Sequence, residues 1–217
     1  MKNYSKKIFL FVLAFFTVSA FAQKRDALEL YRTGNLREAI RVCEDELVAN
    51  PNNMNSYCVL CWSLIENRQY AEAEKRASEA RKKETADYRI TQVLGEAKYN
   101  LNKYDEALSL FQRYISKAPD SHDRVGRTYF YMGEIYIKQA KFQHADIALS
   151  TAVKKDGQKD LWWQQLGYCR EQLGDWKNAL LAYDQSLALN SSQRDSRAGR
   201  DRCLKHVKQI NEKNRTF

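Results

Sequence analysis

The sequence contains few of the residues that break helices. Only two prolines and eight glycines occur in 217 residues. Folds with many strands and tight turns need glycine and proline where the backbone adopts unusual angles, so this scarcity argues against them. Apolar residues instead recur at helical spacing along the chain, and one predicted helix face carries Trp163, Leu166, Gly167 and Arg170. The sequence therefore predicts an all-α fold.

Sequence signatures of catalysis are also missing. Neither a glycine-rich phosphate loop nor a GxSxG or HExxH motif is present. The three histidines, His122, His144 and His206, are far apart in the sequence, and we interpret them as surface residues without a role. Glutamates alternate with lysine and arginine, as on a solvated helix face. We therefore expect a protein that is not an enzyme and binds no metal or cofactor.

Cysteine occurs five times, and an odd number leaves at least one thiol unpaired within a monomer. Cys58 and Cys61 form a CxxC motif, but the surrounding segment has helical spacing rather than the strand and turn of a thioredoxin-like site. No second CxxC is available for zinc. We interpret the cysteines as small buried apolar residues. A redox role for Cys58 and Cys61 is the less favoured alternative, and disulfide formation stays open.

Five alanines recur in the same local setting, each three residues after an aromatic residue or a leucine. The steps between them are 34, 34, 38 and 34 residues. A fixed period of this length indicates a solenoid of stacked helical hairpins, in which neither helix of a unit buries its apolar face alone. A solenoid offers a long surface rather than a deep catalytic pocket. The five alanines are Ala39, Ala73, Ala107, Ala145 and Ala179.

The units resemble the tetratricopeptide repeat (TPR), whose signature is W-x2-L-G-x2-Y, then A-x3-F, then P. The fifth unit supplies Trp163-x2-Leu166-Gly167 and then Ala179-x3-Tyr183. The third and fourth units keep the same glycine, at Gly95 and Gly133. The resemblance extends over nearly the whole of the chain after residue 22.

The first two units depart from this pattern. In the second, Cys61 replaces the glycine and Ala77 the aromatic residue, and the first keeps Ala27 but has Cys43 at the aromatic position. The step of 38 residues places four extra residues around Ser121–Val125, where we expect a longer turn.

The resemblance implies an α-solenoid of five TPR hairpins in a right-handed superhelix, followed by a capping helix. We expect the solenoid to cover residues 23–193 and the capping helix with its basic tail to cover residues 194–217. The predicted repeats are about 23–53, 54–87, 88–121, 126–159 and 160–193.

The first 22 residues have the layout of a secretory signal peptide. Three lysines precede an apolar segment that starts at Ile8, and Ala20-Phe21-Ala22 supplies the small residues of a cleavage site. We expect cleavage after Ala22 and a periplasmic or secreted protein, with retention as an anchor as the alternative.

The positive charge is concentrated at the two ends of the chain. The net charge is +9, of which the leader holds three and Ser192–Phe217 a net five, so the repeat body is close to neutral. Nucleic acid is therefore not an expected partner. The basic tail could instead contact an anionic membrane or peptidoglycan, which gives an alternative function as an envelope-tethering protein. A solvated terminal helix explains the same charges.

In the proteins that this chain resembles, the first helix of each unit lines a concave groove that holds an extended peptide or a partner helix. The resemblance implies a non-enzymatic protein–protein interaction scaffold of the bacterial cell envelope, with another envelope protein as its partner. Aromatic residues in such a groove are frequent binding hot spots, although packing between helices explains them equally well. The predicted groove residues are Tyr31, Trp62, Ile65, Glu96, Tyr99, Phe130, Glu134 and Tyr168.

Overall fold

The computed structural model describes residues 26–84 and 87–213, which form eleven α-helices and no strand. The all-α prediction is confirmed. The predicted signal peptide and its cleavage site at Ala22 lie outside the described residues. The helices are α1 (Ala27–Arg32), α2 (Leu36–Ala49), α3 (Met54–Glu66), α4 (Tyr70–Lys83), α5 (Tyr88–Asn100), α6 (Tyr104–Ile115), α7 (Val125–Lys138), α8 (Phe142–Lys155), α9 (Asp160–Gln172), α10 (Trp176–Leu189) and α11 (Arg194–Lys213).

The helices stack as a solenoid of hairpins, because each helix packs on its neighbours in sequence. The odd-numbered helices also contact one another in series, α1 with α3 and so on to α9 with α11. Within the described residues the backbones of the even-numbered helices stay further apart, although Arg76 of α4 pairs with Glu44 of α2 at 3.2 Å. Helices that approach one another in this way lie on the inner side of a curved array. We call the surface formed by the odd-numbered helices the inner face.

A matched pair of residues, 16 apart in sequence, occupies the interior of each hairpin. Where the first residue is glycine, the second is large: a Cβ atom added to Gly133 would lie 2.5 Å from Leu149. Added Cβ atoms on the equivalent glycines would lie 2.7 Å from a phenylalanine ring and 2.8 Å from a tyrosine ring. Where the first residue has a side chain, the second is small. The pairs are Ala27 and Cys43, Cys61 and Ala77, Gly95 and Phe111, Gly133 and Leu149, and Gly167 and Tyr183.

The turn inside each hairpin contains one residue with a left-handed backbone. These residues follow one another at steps of 34, 34, 38 and 34, in phase with the alanines. Glycine adopts this conformation without strain, whereas other L-residues lose about 1–2 kcal/mol. The φ angles are 79° at Gly34, 60° at Arg68, 60° at Asn102, 55° at Ala140 and 74° at Gly174.

The connection between α6 and α7 is longer than the other connections between hairpins, as the alanine spacing predicts. It runs over residues 116–124 and is anchored by His122. The hydroxyl of Tyr114 lies 2.7 Å from His122 Nδ1, and the ring of Tyr88 packs edge-on against the imidazole at 5.3 Å. The interpretation of His122 as a surface residue without a role is therefore wrong.

The last helix, α11, packs on α9 and α10 and covers the end of the hairpin stack. Buried Glu171 of α9 accepts hydrogen bonds from Arg202 Nε at 2.5 Å and from the Tyr183 hydroxyl at 2.7 Å. His206 stacks on Trp176 with ring centroids 3.9 Å apart. None of the helices in residues 26–84 and 87–213 combines the length and the apolar character needed to cross a bilayer.

We predict opposite effects for two substitutions in equivalent turns. Ala140→Gly should raise the free energy of unfolding by about 0.5–1 kcal/mol, because glycine removes left-handed strain but gains freedom in the unfolded chain. Gly174→Ala should lower it by about 1 kcal/mol, and no steric term enters because no atom lies within 4 Å of the added Cβ. Urea unfolding measures both, and a destabilised Ala140→Gly chain would contradict the argument.

Docking of α11 should depend on pH through Glu171. Burial alone would raise the pKa of Glu171, but hydrogen bonds from Arg202 and Tyr183 hold that pKa below its ordinary value. A depressed folded pKa contributes stability above the unfolded pKa of about 4.3, and this contribution is lost as the pH falls through the folded value. The stability difference between wild type and Glu171→Gln should therefore be constant from pH 7 to about 5 and shrink toward pH 3. A difference independent of pH over this range would refute the assignment.

Candidate functional site

The inner face is organised around the buried carboxylate of Glu96 on α5, whose exposed fraction is 1%. Its Oε1 atom accepts a hydrogen bond from the Tyr131 hydroxyl at 2.9 Å, and its Oε2 atom accepts one from Gln92 Nε2 at 3.0 Å. A buried carboxylate also needs a compensating positive charge. Two arginines from the start of the fourth hairpin supply it.

Arg124 and Arg127 each lie close to a different carboxylate oxygen of Glu96. Arg124 Nη1 lies 3.4 Å from Oε2, and Arg127 Nη1 lies 3.4 Å from Oε1. Arg127 Nη1 also lies 3.3 Å from Glu66 Oε1. Burial alone would lower the pKa of Arg127, but Glu96, Tyr131 and Glu66 together outweigh it and raise that pKa. These contacts join the second, third and fourth hairpins.

Arg124 extends this network to the first hairpin. Its Cζ atom lies 4.3 Å from the ring centroid of Trp62, and its Nη2 atom donates to the Tyr31 hydroxyl at 3.1 Å. The Tyr31 and Trp62 rings are 5.9 Å apart. The Arg124 side chain thus fills the space between α1, α3 and α5, where the cation–π contact and the hydrogen bond hold it in place. We call the enclosure formed by Tyr31, Trp62, Gln92 and Glu96 the arginine pocket.

A second polar cluster lies further along the inner face. The Tyr99 hydroxyl donates to Glu134 Oε2 at 2.5 Å, and Gln165 Nε2 donates to Glu134 Oε1 at 3.4 Å. Burial raises the pKa of Glu134, and burial followed by the hydrogen bond to Glu134 raises the pKa of Tyr99. Each side chain is therefore held in place by the other.

The structure distributes the eight predicted groove residues between the surface and the interior. Tyr31, Trp62, Tyr99 and Glu134 are half-buried members of the two inner-face clusters, and Tyr168 is 37% exposed. Three others are buried, with exposed fractions of 7% for Ile65, 1% for Glu96 and 6% for Phe130. Contact of the eight residues with a partner stays a prediction.

A cleft of about 1020 Å³ opens beside the arginine pocket, between α7, the 116–124 connection and the start of α9. Its aromatic wall contains Trp162 stacked on Phe130, with ring centroids 5.4 Å apart. Gly126 permits this approach, because a Cβ atom there would lie 3.3 Å from Trp162 and 3.0 Å from Lys155 Cβ. The remaining lining residues are mostly charged: Glu66, Asp120, Ser121, His122, Asp123, Arg127, Tyr131, Lys155, Asp156 and Lys159.

Sequence reasoning missed the two arginines that order this surface. In the alanine register Arg127 is equivalent to Arg89, and it lies one helical turn before the predicted groove residue Phe130. Extending the predicted groove by one turn along this helix would have found it. Arg124 belongs to the irregular connection, where the repeat register gives no equivalent position.

The five cysteines are buried and none forms a disulfide within the described residues. Burial raises the pKa of Cys58 to about 12, and it raises the pKa of Cys61 well above the ordinary value. A thiolate is the reactive form, so both thiols are poor nucleophiles near neutral pH. The described residues also contain no group of three or more His, Cys, Asp or Glu side chains that could hold a metal ion. The geometry gives no support to a redox role for the CxxC motif.

Comparison with protein families identifies the repeat. Family models described as tetratricopeptide repeat match residues 64–128 and residues 163–197. The chain is a tetratricopeptide repeat protein. The matched segments include two of the three glycines and three of the five alanines from which the resemblance was inferred. A comparison with curated proteins found no match.

Solved structures share the TPR solenoid. MamA residues 41 to the end from Desulfovibrio magneticus RS-1 superposes with a TM-score of 0.62 at 20% identity, covering 77% of this chain and 93% of that one. TTC0263, a thermophilic TPR protein of Thermus thermophilus, gives 0.61 at 18% identity, with 82% and 95% covered. YrrB, described as a TPR protein with an unusual peptide-binding site, gives 0.61 at 15% identity, with 81% and 88% covered. Likeness at these identities establishes the fold, and the predicted TPR solenoid is confirmed.

Removal of the central carboxylate should destabilise the solenoid strongly. Glu96→Ala leaves Arg124 and Arg127 without their shared anion, and loss of one partner of a buried ion pair typically costs about 3–5 kcal/mol. Glu106→Ala is the matched control, because Glu106 pairs with Lys98 but 60% of its side chain is exposed, and we expect a loss below about 1 kcal/mol. Urea unfolding distinguishes the two, and equal losses would show that the network adds nothing to stability.

Proposed function

We propose that this TPR protein is a non-enzymatic scaffold of the bacterial cell envelope, which binds an extended peptide or a helix of another envelope protein on its inner face. The TPR fold is that of a protein-interaction module, and the layout of residues 1–22 as a signal peptide supports export. The described residues offer a continuous surface of aromatic and charged side chains, which suits recognition of a polypeptide.

The cleft beside α7 is the observation that carries the proposal. It combines an aromatic wall, at Phe130, Tyr131 and Trp162, with ionic groups of both signs at its rim. The ion pairs at the rim are exposed, so a ligand can replace one of the two charged partners. Lys159 lies 3.6 Å from Asp156, and more than half of the Lys159 side chain is exposed. Aromatic anchors surrounded by polar groups are typical of binding hot spots. A peptide with an apolar anchor and charged flanks fits this arrangement.

Attachment through the basic tail is the second candidate. Arg194, Lys205 and Lys208 of α11 are exposed, which favours contact with an anionic surface. Other cations of α11 are engaged within the fold, because Arg202 bonds to Glu171 and Arg200 to Asp184. Salt-sensitive sedimentation with anionic vesicles that requires the tail would favour this candidate.

Peptides selected from a random display library against the wild-type chain should bind at the cleft. Lys159→Glu and Asp123→Lys reverse exposed rim charges, and each should weaken binding of the selected peptides on the order of 10-fold while leaving the melting temperature unchanged. Fluorescence anisotropy with labelled peptides measures the dissociation constants.

Matched charge reversals elsewhere test the location. Lys177→Glu on α10 and Asp45→Lys on α2 change exposed charges of even-numbered helices and should leave binding unchanged. Selection of no peptide at all would contradict the scaffold proposal. Peptides equally sensitive to all four variants would contradict the assignment of the cleft.

A further inference from the structure

The arginine pocket has the chemistry of a seat for a guanidinium group. A guanidinium is recognised by a carboxylate, by hydroxyl or carbonyl acceptors and by the face of an aromatic ring. Glu96, Tyr31 and Trp62 supply these three elements, and they come from three different hairpins. Arg124 occupies the seat with 12% of its side chain exposed. The chain's own side chain thus shows which ligand chemistry the pocket fits.

Arg124 does not use every polar atom of the pocket wall. Gln92 is fully buried, and its amide nitrogen donates to Glu96, but its Oε1 atom has no partner among the described residues. The indole Nε1 atom of Trp62 is also buried without a partner in this part of the chain. Buried polar atoms are normally hydrogen-bonded. The Oε1 atom of Gln92 is therefore available to accept a hydrogen bond from a ligand whose N–H donors reach it, which those of Arg124 do not.

Arg124 can turn away without breaking the fold. Arg127 stays 3.4 Å from Glu96, so the buried carboxylate keeps a positive partner. The backbone of Arg124 is held separately, because its carbonyl oxygen accepts hydrogen bonds from Thr128 N at 3.0 Å and Thr128 Oγ1 at 2.9 Å. Exchange of the occupant requires rotation of one long side chain only.

We propose that the arginine pocket receives an arginine side chain of a basic partner segment, and that Arg124 is the internal occupant which this segment displaces. The proposal rests on the proposed scaffold function and names the chemistry of the partner. When the open state of a site is only a fraction of the population, the apparent affinity falls by that fraction. The wild-type chain should therefore bind arginine-bearing segments more weakly than a chain that lacks the Arg124 side chain.

A rescue titration tests the pocket itself. N-ethylguanidinium should raise the melting temperature of Arg124→Ala relative to wild type, whereas N-ethylammonium at equal concentration should not. Arg37→Ala removes an exposed arginine of α2 and should respond as wild type does. An equal response of Arg124→Ala to the two cations would overturn the assignment of a guanidinium seat.

A peptide selection tests the partner chemistry. Peptides selected from a random display library on the Arg124→Ala chain should contain a required arginine and bind that chain about 10-fold more tightly than wild type. Replacement of that arginine by lysine should abolish the difference. Peptides that bind both chains equally, or that need no arginine, would overturn the proposal that a partner arginine displaces Arg124. If neither chain selects a peptide, the scaffold function fails, and the rescue titration still decides whether the pocket recognises a guanidinium.

Discussion

The solenoid depends on a steric constraint inside each hairpin, where two helices approach so closely that the facing residues must share a fixed volume. Gly133 leaves room for Leu149, and an added Cβ there would come within 2.5 Å of it. The second hairpin satisfies the same constraint differently, with Cys61 opposite Ala77. Because close packing tolerates neither a gap nor an overlap, the pair rather than either residue alone defines the repeat. This explains how two hairpins that depart from the family signature still stack in register.

The inner face adds electrostatic order to this steric frame. Glu96 is a buried charge whose desolvation is offset by arginines from another hairpin, so its geometry constrains how successive hairpins are oriented. A buried ionic network of this kind destabilises the fold when one of its charged groups loses its partner. The same feature divides the inner face into a part that is filled by the protein's own side chains and an open cleft. Arg127 and Tyr131 belong to both parts, since they bind Glu96 and also line the cleft.

The repeat period was sufficient to predict the all-α solenoid and the site of the longer connection, since these depend on local spacing. The functional surface was less predictable. Side chains at equivalent offsets, such as Glu96 and Glu134, have different surroundings because contacts between hairpins differ along the stack. The contact between Arg124 and Tyr31 joins residues 93 positions apart and starts in the irregular connection, where the register gives no guide. Burial of Ile65 and Phe130 likewise depends on the neighbouring hairpin and not on helical phase alone.

That contact also bears on how the molecule unfolds. In most of the described chain, helices touch only near neighbours along the stack, and such arrays lose structure from their ends in small steps. Arg124 connects the first hairpin to the start of the fourth, which closes a loop of contacts through α1, α3 and α5. The first four hairpins are thereby expected to open as a single cooperative unit. The fifth hairpin and α11 lie outside this loop of contacts.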